Sequence, residues 1–332
     1  MPASEPHLQA APRLAAPSLP ASAGVVLAMG EPMVELSAEQ VGPLHGSTRF
    51  VRGFGGDTSN FAVAVARLGG RSAYLCRLGD DEFGQALMKL WHEEGVDTSR
   101  VMRLVGAVTA VYFMSWQADG THQFTYYRRG SAASTLEPAD LKPDHFQDVR
   151  LFHTSGITQA ISLSACDASF AAMELARRAG ALVSYDPNFR PRLWPAARAR
   201  AVMRESVRLA DLVFPNREEA EMLTGSADPD EALRRLLELG PRVVAIKLGA
   251  EGCLVGTRDG RILRVAAPSV PVVDTGGAGD TFDAAFVVAL LEGFELEETA
   301  RFAAAAAALT TMGRGCVTPI PRRRAVEEVL AR

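Results

Sequence analysis

The chain has 332 residues, 48% of them hydrophobic, a net charge of -4 at neutral pH and four cysteines. That length can bury one large α/β core or two modest ones, and the mildly acidic balance excludes a basic footprint for nucleic acid or an anionic membrane surface. No apolar run approaches the ~20 residues that cross a bilayer, and Cys76, Cys166, Cys253 and Cys316 lack metal-ligand spacing, which suits reduced thiols in a cytoplasmic protein.

Residues 1–23 hold five prolines and one arginine, and no basic segment leads into an apolar core. This composition predicts a flexible leader before a folded domain spanning 24–332. Gly24 to Met29 is continuously apolar, as in a strand buried on both faces. Residues 49–60 end in a glycine turn, Gly53-Phe54-Gly55-Gly56. Asp57 or Thr58 then caps a helix running to Leu68, where Gly69-Gly70 stops it. A strand at 72–77 and a helix at 80–94 follow. Residues 108–116 and 123–128 alternate around Ala118-Asp119-Gly120, a hairpin pattern. With residues near 34–52 they predict a small β lid, built from about 34–52 and 104–129. The strand-helix rhythm resumes at 149–153, with helices at 162–179, 196–209, 217–224, 230–239, 297–312 and from 322, and strands at 181–186, 211–214 and 242–248. Such alternation predicts a mostly parallel, doubly wound sheet whose ligands lie beyond the carboxyl ends of its strands.

The stretch from Val272 to Phe286 organises the chain. A short β-branched run ending at Asp274 predicts a strand, three glycines follow within four residues as a tight turn, and a helical pattern begins near Gly277. The free amides of Gly277, Ala278 and Gly279 and the positive end of the helix would cradle an anion. Asp280 in the first turn puts a carboxylate beside that anion, an arrangement suited to phosphoryl transfer; the helix end should lower its pKa. The turn alone is equally compatible with close packing at Gly277 and Gly279 and a capping role for Asp280.

Two signatures coincide. Gly55-Gly56 with Asn60 and Ala66-Arg67-Leu68-Gly69 resembles the N-terminal signature of the ribokinase family of sugar kinases. Asp274-Thr275-Gly276-Gly277-Ala278-Gly279-Asp280 resembles the C-terminal one. The resemblance covers 24–332 and is strongest to 2-keto-3-deoxygluconate kinases. It rests there on Gly30 to Ser37, Gly53 to Asn60, Gly95 to Ser99, Tyr126-Tyr127-Arg128, Ser155-Gly156-Ile157 and Asn188-Phe189-Arg190-Pro191-Arg192-Leu193-Trp194.

The resemblance implies a ribokinase-like fold and phosphorylation of the keto-acid at its 6-hydroxyl by ATP and Mg2+. Asp280 is then the general base, and Gly277, Ala278 and Gly279 form the anion hole. Gly55, Gly56 and Asn60 would meet sugar hydroxyls, with Glu35 a weaker candidate, and Tyr112, Tyr126, Arg128 and Arg190 would complete the pocket. Two converging arginines suit a carboxylate, whereas a neutral hexose, as in a fructokinase, needs none. Asn216 and Glu219 resemble the element that organises Mg2+ through water, although the same spacing also makes a capping pair. Lys247, Gly249 and Gly252 fall where relatives hold ribose and phosphate, and Asp274 where a loop binds K+. Two departures stand out: Gly315-Cys316-Val317 stands where some such kinases carry an acidic substrate contact, and Ala303 and Ala304 stand on the adenine-facing helix, where some relatives carry a polar residue. Asp283 should only support its helix, His153 should be structural, and Trp194 should anchor packing. Relatives often pair their lids, which implies a homodimer.

Overall fold

The computed structural model describes residues 24–119 and 121–331. The expected leader, 1–23, and Gly120 of the expected hairpin turn lie outside the described residues. In chain order the elements are β1 (Val25–Met29), β2 (Met33–Ala38), β3 (Phe50–Gly55), α1 (Asp57–Arg67), β4 (Ser72–Gly79), α2 (Glu82–Glu94), β5 (Asp97–Leu104), β6 (Ala110–Trp116) and β7 (His122–Tyr127). Then come β8 (Val149–Ser155), α3 (Gly156–Ala160), α4 (Leu163–Arg178), β9 (Leu182–Asp186), α5 (Ala196–Leu209), β10 (Leu212–Val213), α6 (Arg217–Thr224) and α7 (Pro229–Glu238). The chain ends with β11 (Val243–Lys247), β12 (Cys253–Thr257), β13 (Ile262–Val265), α8 (Ala278–Glu292), α9 (Leu296–Thr310) and α10 (Arg323–Leu330).

Nine strands form the large sheet in the order β13-β12-β11-β10-β9-β8-β1-β4-β5. From β5 to β11 every pairing is parallel, and β12 and β13 extend that end antiparallel. The apolar runs of β1, β8 and β9 lie centrally with helices on both faces, which is why they read as continuous rather than alternating. Two apolar clusters result, one under α1, α8 and α9 and the other under α4, α5, α6 and α7. A separate four-stranded sheet, β3-β2-β6-β7, stands beside the large one. Among the described residues no helix is long and apolar enough to cross a membrane.

One expectation needs correction, and two elements have no counterpart in the sequence reading. Val272 to Asp274 is not a strand: the amides of Val273 and Asp274 bond to Thr311 O at 2.8 and 3.2 Å, so no sheet edge takes them. β5 was not foreseen as a strand, because an edge strand with arginines at 100 and 103 lacks the buried pattern. The hairpin β12–β13 was also missed, although Asp259-Gly260 marks its turn and Gly260 has φ of 91°.

Candidate active site

α8 begins without a side-chain cap, after Gly277 in the left-handed region at φ 74°. A side chain there would drive its Cβ to 2.5 Å from Cys316 O. The Ala278 amide bonds to Thr275 O at 3.3 Å, so that member of the expected trio is engaged. Among the described residues, the amides of Gly277 and Gly279 have no protein acceptor. A Cβ on Gly279 would meet nothing nearer than Lys247 Nζ at 3.5 Å, so a methyl has room there. Asp274 shapes the turn from behind, its two oxygens accepting from Gly276 N at 2.9 Å and Gly315 N at 3.0 Å.

Asp280 is half-buried and accepts from Asn60 Nδ2 at 2.8 Å, a contact joining the two signature motifs. Its pKa is not lowered, as the helix dipole alone would have it. Desolvation, with Asp57 and Asp186 nearby, pushes it up to about 7 against the pull of Asn60 and Lys247.

Beneath this helix end lies an ion triad: Lys247 Nζ sits 2.9 Å from Asp186 and 3.1 Å from Asp283. Burial works against the ammonium, but the two carboxylates outweigh it and hold Lys247 protonated, above its ordinary range. Burial likewise pushes Asp283 well up, whereas Lys247 overcomes it at Asp186 and holds that carboxyl down. Asp283 therefore does more than support its helix; it is one arm of the triad.

Asp57 is the first residue of α1, not its cap: that place belongs to Gly56 at φ 96°. The Asp57 carboxylate turns inward and accepts from Asn188 Nδ2 at 3.0 Å, with Asn188 itself at φ 37°. Burial raises its pKa, countered first by Ser155.

Asn216 and Glu219 form a full capping box on α6: Asn216 Oδ1 accepts from Glu219 N at 2.8 Å and Glu219 Oε2 accepts from Asn216 N at 2.9 Å. Glu219 Oε1 also accepts from Phe189 N at 2.7 Å, and burial beside Asp186 pushes its carboxyl up to about 7. Lys247 ends the neighbouring strand, its amide bonded to Pro215 O at 2.8 Å, and Gly249 and Gly252 flank the turn that follows.

A run of contacts continues from the amides to the small sheet. Cys316 Sγ lies 3.8 Å from the Tyr112 hydroxyl, which donates to the buried Glu35. The hydroxyl also rests on Gly55, where a Cβ would come within 2.6 Å. The Tyr112 and Tyr126 rings are 5.6 Å apart, and Arg128 lies 5.6 Å from the Tyr126 ring. Arg190 is exposed, and its charge reaches both Asp57 and Tyr126.

A model of the pfkB family of carbohydrate kinases matches residues 25–323. The chain belongs to that family. This carbohydrate kinase is 36% identical over 316 residues to a 2-dehydro-3-deoxygluconokinase of Thermoproteus tenax, covering 94% of this chain and 96% of the relative. It is equally identical, 36% over 309 residues, to fructokinase-1 of Oryza sativa subsp. japonica, covering 90% and 94%. Among solved structures, a PfkB protein from Polaromonas sp. JS666 superposes with a TM-score of 0.84 at 34% identity, over 92% of this chain and 99% of that one. A fructokinase double mutant from Vibrio cholerae O395, bound to fructose, ADP and a potassium ion, gives 0.83 at 28% identity, over 93% and 98%.

In the kinase, then, Gly55, Asn60, Tyr112, Tyr126, Cys316 and Asp280 line one contiguous region, while Asn216, Glu219, Lys247, Gly249 and Gly252 gather at the ends of β10 and β11. Arg128 is not free, because it is paired with Glu31. Ala303 and Ala304 are buried in the core and expose no face to a ligand. His153 is structural: stacked 3.7 Å from Phe61, bonded to Ser184 and driven by burial to a pKa of about 3. Trp194 is buried as expected. Sequence reasoning missed Glu31, Asp57 as an inward carboxylate, and the Asp186–Lys247–Asp283 triad, and none of these contacts left a local signal.

Proposed function

We propose that this kinase transfers the terminal phosphoryl group of ATP to the 6-hydroxyl of 2-keto-3-deoxygluconate or a close sugar acid, in the cytoplasm. The observation that carries the reading is the polarity of the cleft. Asp57 and Asp186 stand close to Asp280 at the start of α8, whereas Arg128 and Arg190 both act on Tyr126, Arg190 reaching Asp57 as well. A substrate with a carboxylate at one end and an alcohol at the other fits that field in a single orientation.

In this reading Asp280 accepts the proton of the sugar hydroxyl, and a carboxyl near neutrality suits that task better than one held low. Asn60 fixes the orientation of the carboxylate, and Gly55 and Gly56 let the sugar approach backbone. The Gly277 and Gly279 amides stabilise charge developing on the phosphoryl oxygens, with the Lys247 charge beneath them. Lys247, Gly249 and Gly252 would border the nucleotide. Mg2+, when bound, would shield the phosphate charge. Asn216 and Glu219 fit it through water, since both Glu219 oxygens already accept from backbone amides. A K+ ion near Asp274 would need backbone carbonyls, for the same reason.

Fructose phosphorylation is the second reading, and one observation favours it: the Arg128 charge is already balanced by Glu31, leaving one arginine for an acid. A coupled ADP-release assay over sugar acids and fructose separates the two. The acid should show the higher kcat/KM. Arg190→Ala should cut it by ~10–100-fold, the worth of a charged hydrogen bond, while sparing fructose. Higher kcat/KM for fructose, with no loss in Arg190→Ala, would overturn the sugar-acid reading.

A further inference from the structure

The chain passes between its two sheets four times, at 30–32, 56–71, 105–109 and 128–148. Glu31 stands in the first passage and is fully buried. Its carboxylate accepts from Ser131 Oγ at 2.6 Å and pairs with Arg128, both in the fourth passage. Its carbonyl presses on the second, where a Cβ on Gly56 would come within 2.3 Å of Glu31 O. The third is tied to the fourth by Ala132 N donating to Val108 O at 2.8 Å. Three passages therefore meet at one buried acid, the third being tied on through the fourth, and no step of the proposed transfer uses it.

The pairing decides where Arg128 can be. Its side chain is 11% exposed, with one side towards the Tyr126 ring. A buried carboxylate stripped of its cation costs several kcal/mol, so neither partner leaves readily. Burial raises the Glu31 pKa and Arg128 pulls it back, which makes the two interdependent. Among the described residues, Arg128 Nε and Nη2 and Glu31 Oε2 are buried without a hydrogen-bond partner, so the pair is a charge contact and leaves guanidinium donors unused. A guanidinium held in this way has lost its rotamer freedom before any sugar arrives, and preorganisation of that kind is paid back as affinity.

We propose that Glu31 is a positioning residue for the sugar: it pins Arg128 at the edge of the cleft and so sets sugar affinity without touching the sugar. The inference rests on the reading above in that Arg128 meets the substrate's acid end.

The test is a double-mutant cycle of wild type, Glu31→Gln, Arg128→Gln and the double variant, with KM, kcat and the KM for ATP measured in each. Glutamine is nearly isosteric and keeps an acceptor for Ser131. Glu31→Gln should raise the sugar KM about tenfold, with kcat within about threefold and the ATP KM unchanged, as lost positioning requires. In the Arg128→Gln background the same change should move the sugar KM by less than about twofold. Glu31→Asp, which keeps the charge on a shorter arm, should fall between wild type and Glu31→Gln. Should Glu31→Gln fail to fold, the double variant, which has no unpaired buried charge, and Glu31→Asp supply the same comparison. Equal rises in KM with and without Arg128, or a lower melting temperature with KM unmoved, would overturn the inference. If the wild type prefers fructose, the sugar-acid reading falls by itself, and the cycle, run on the sugar acid as the poorer substrate, still judges Glu31.

Discussion

Asp280 shows two local influences in opposition. A helix N-terminus favours the carboxylate, but desolvation and the nearby carboxylates Asp57 and Asp186 disfavour it, and they win, placing the group at about 7. As the base, it must be ionised before it can take a proton, so kcat/KM should climb as pH rises through about 7 and level off above. The linkage sign is the reverse for stability. The folded state holds this proton more tightly than the unfolded chain, so the Asp280 contribution falls as pH rises from the ordinary carboxylate range to about 7. Asp280→Asn should therefore lose ~10²–10⁴ in turnover, with ATP affinity nearly intact, and melt higher than wild type at alkaline pH. Initial rates across that range and paired thermal melts check both. Near-normal kcat in the variant would remove Asp280 as the base.

At the scale of one helix, the start of α8 has two glycines with different duties. Gly277 needs its positive φ, and a Cβ would collide with the Cys316 carbonyl. Gly277→Ala should lose about 2–4 kcal/mol in a urea melt, from backbone strain together with overpacking. Gly279 has room for a methyl, so Gly279→Ala should leave the melt nearly unchanged. A methyl in front of the amide should still cut kcat, by the ~10²–10³ typical of a lost oxyanion donor. Equal effects of the two substitutions on stability would mean that the glycine turn is packing alone. Features of this local kind were legible in the sequence, because a backbone that needs glycine leaves a mark at the position itself. The β-branched Val272-Val273 was also legible and was misread: a local preference for strand is empty where no partner edge lies within reach. The Asp186–Lys247–Asp283 triad left no mark. Its members stand 61 and 36 positions apart and meet because β9, β11 and α8 converge. The same holds for Asp57 and Asn188, 131 positions apart.

Over the whole molecule, the small sheet hangs on four backbone passages and presents two unpaired edges, β3 and β7. Such a sheet can tilt over the cleft and exclude water, the competing phosphoryl acceptor. The open edge carries a cost: Phe50 and Val51 on β3 are 37% and 55% exposed and Tyr127 at the end of β7 is 66% exposed. Apolar residues on a free sheet edge invite pairing with another strand unless something covers them. A second copy of this chain is the cover we propose, β3 against β3 through the small sheets, because isologous pairing buries the same strand on both copies and leaves no open β3 edge. Sedimentation at micromolar concentration should then give a species about twice the 35.5 kDa chain mass. Val51→Glu should shift it to the single-chain value by placing like charges opposite each other across the two-fold axis. Its melting temperature at low concentration should match wild type, because Val51 is exposed in the isolated chain. A wild-type monomer at that concentration would leave the edge uncovered and defeat the proposal.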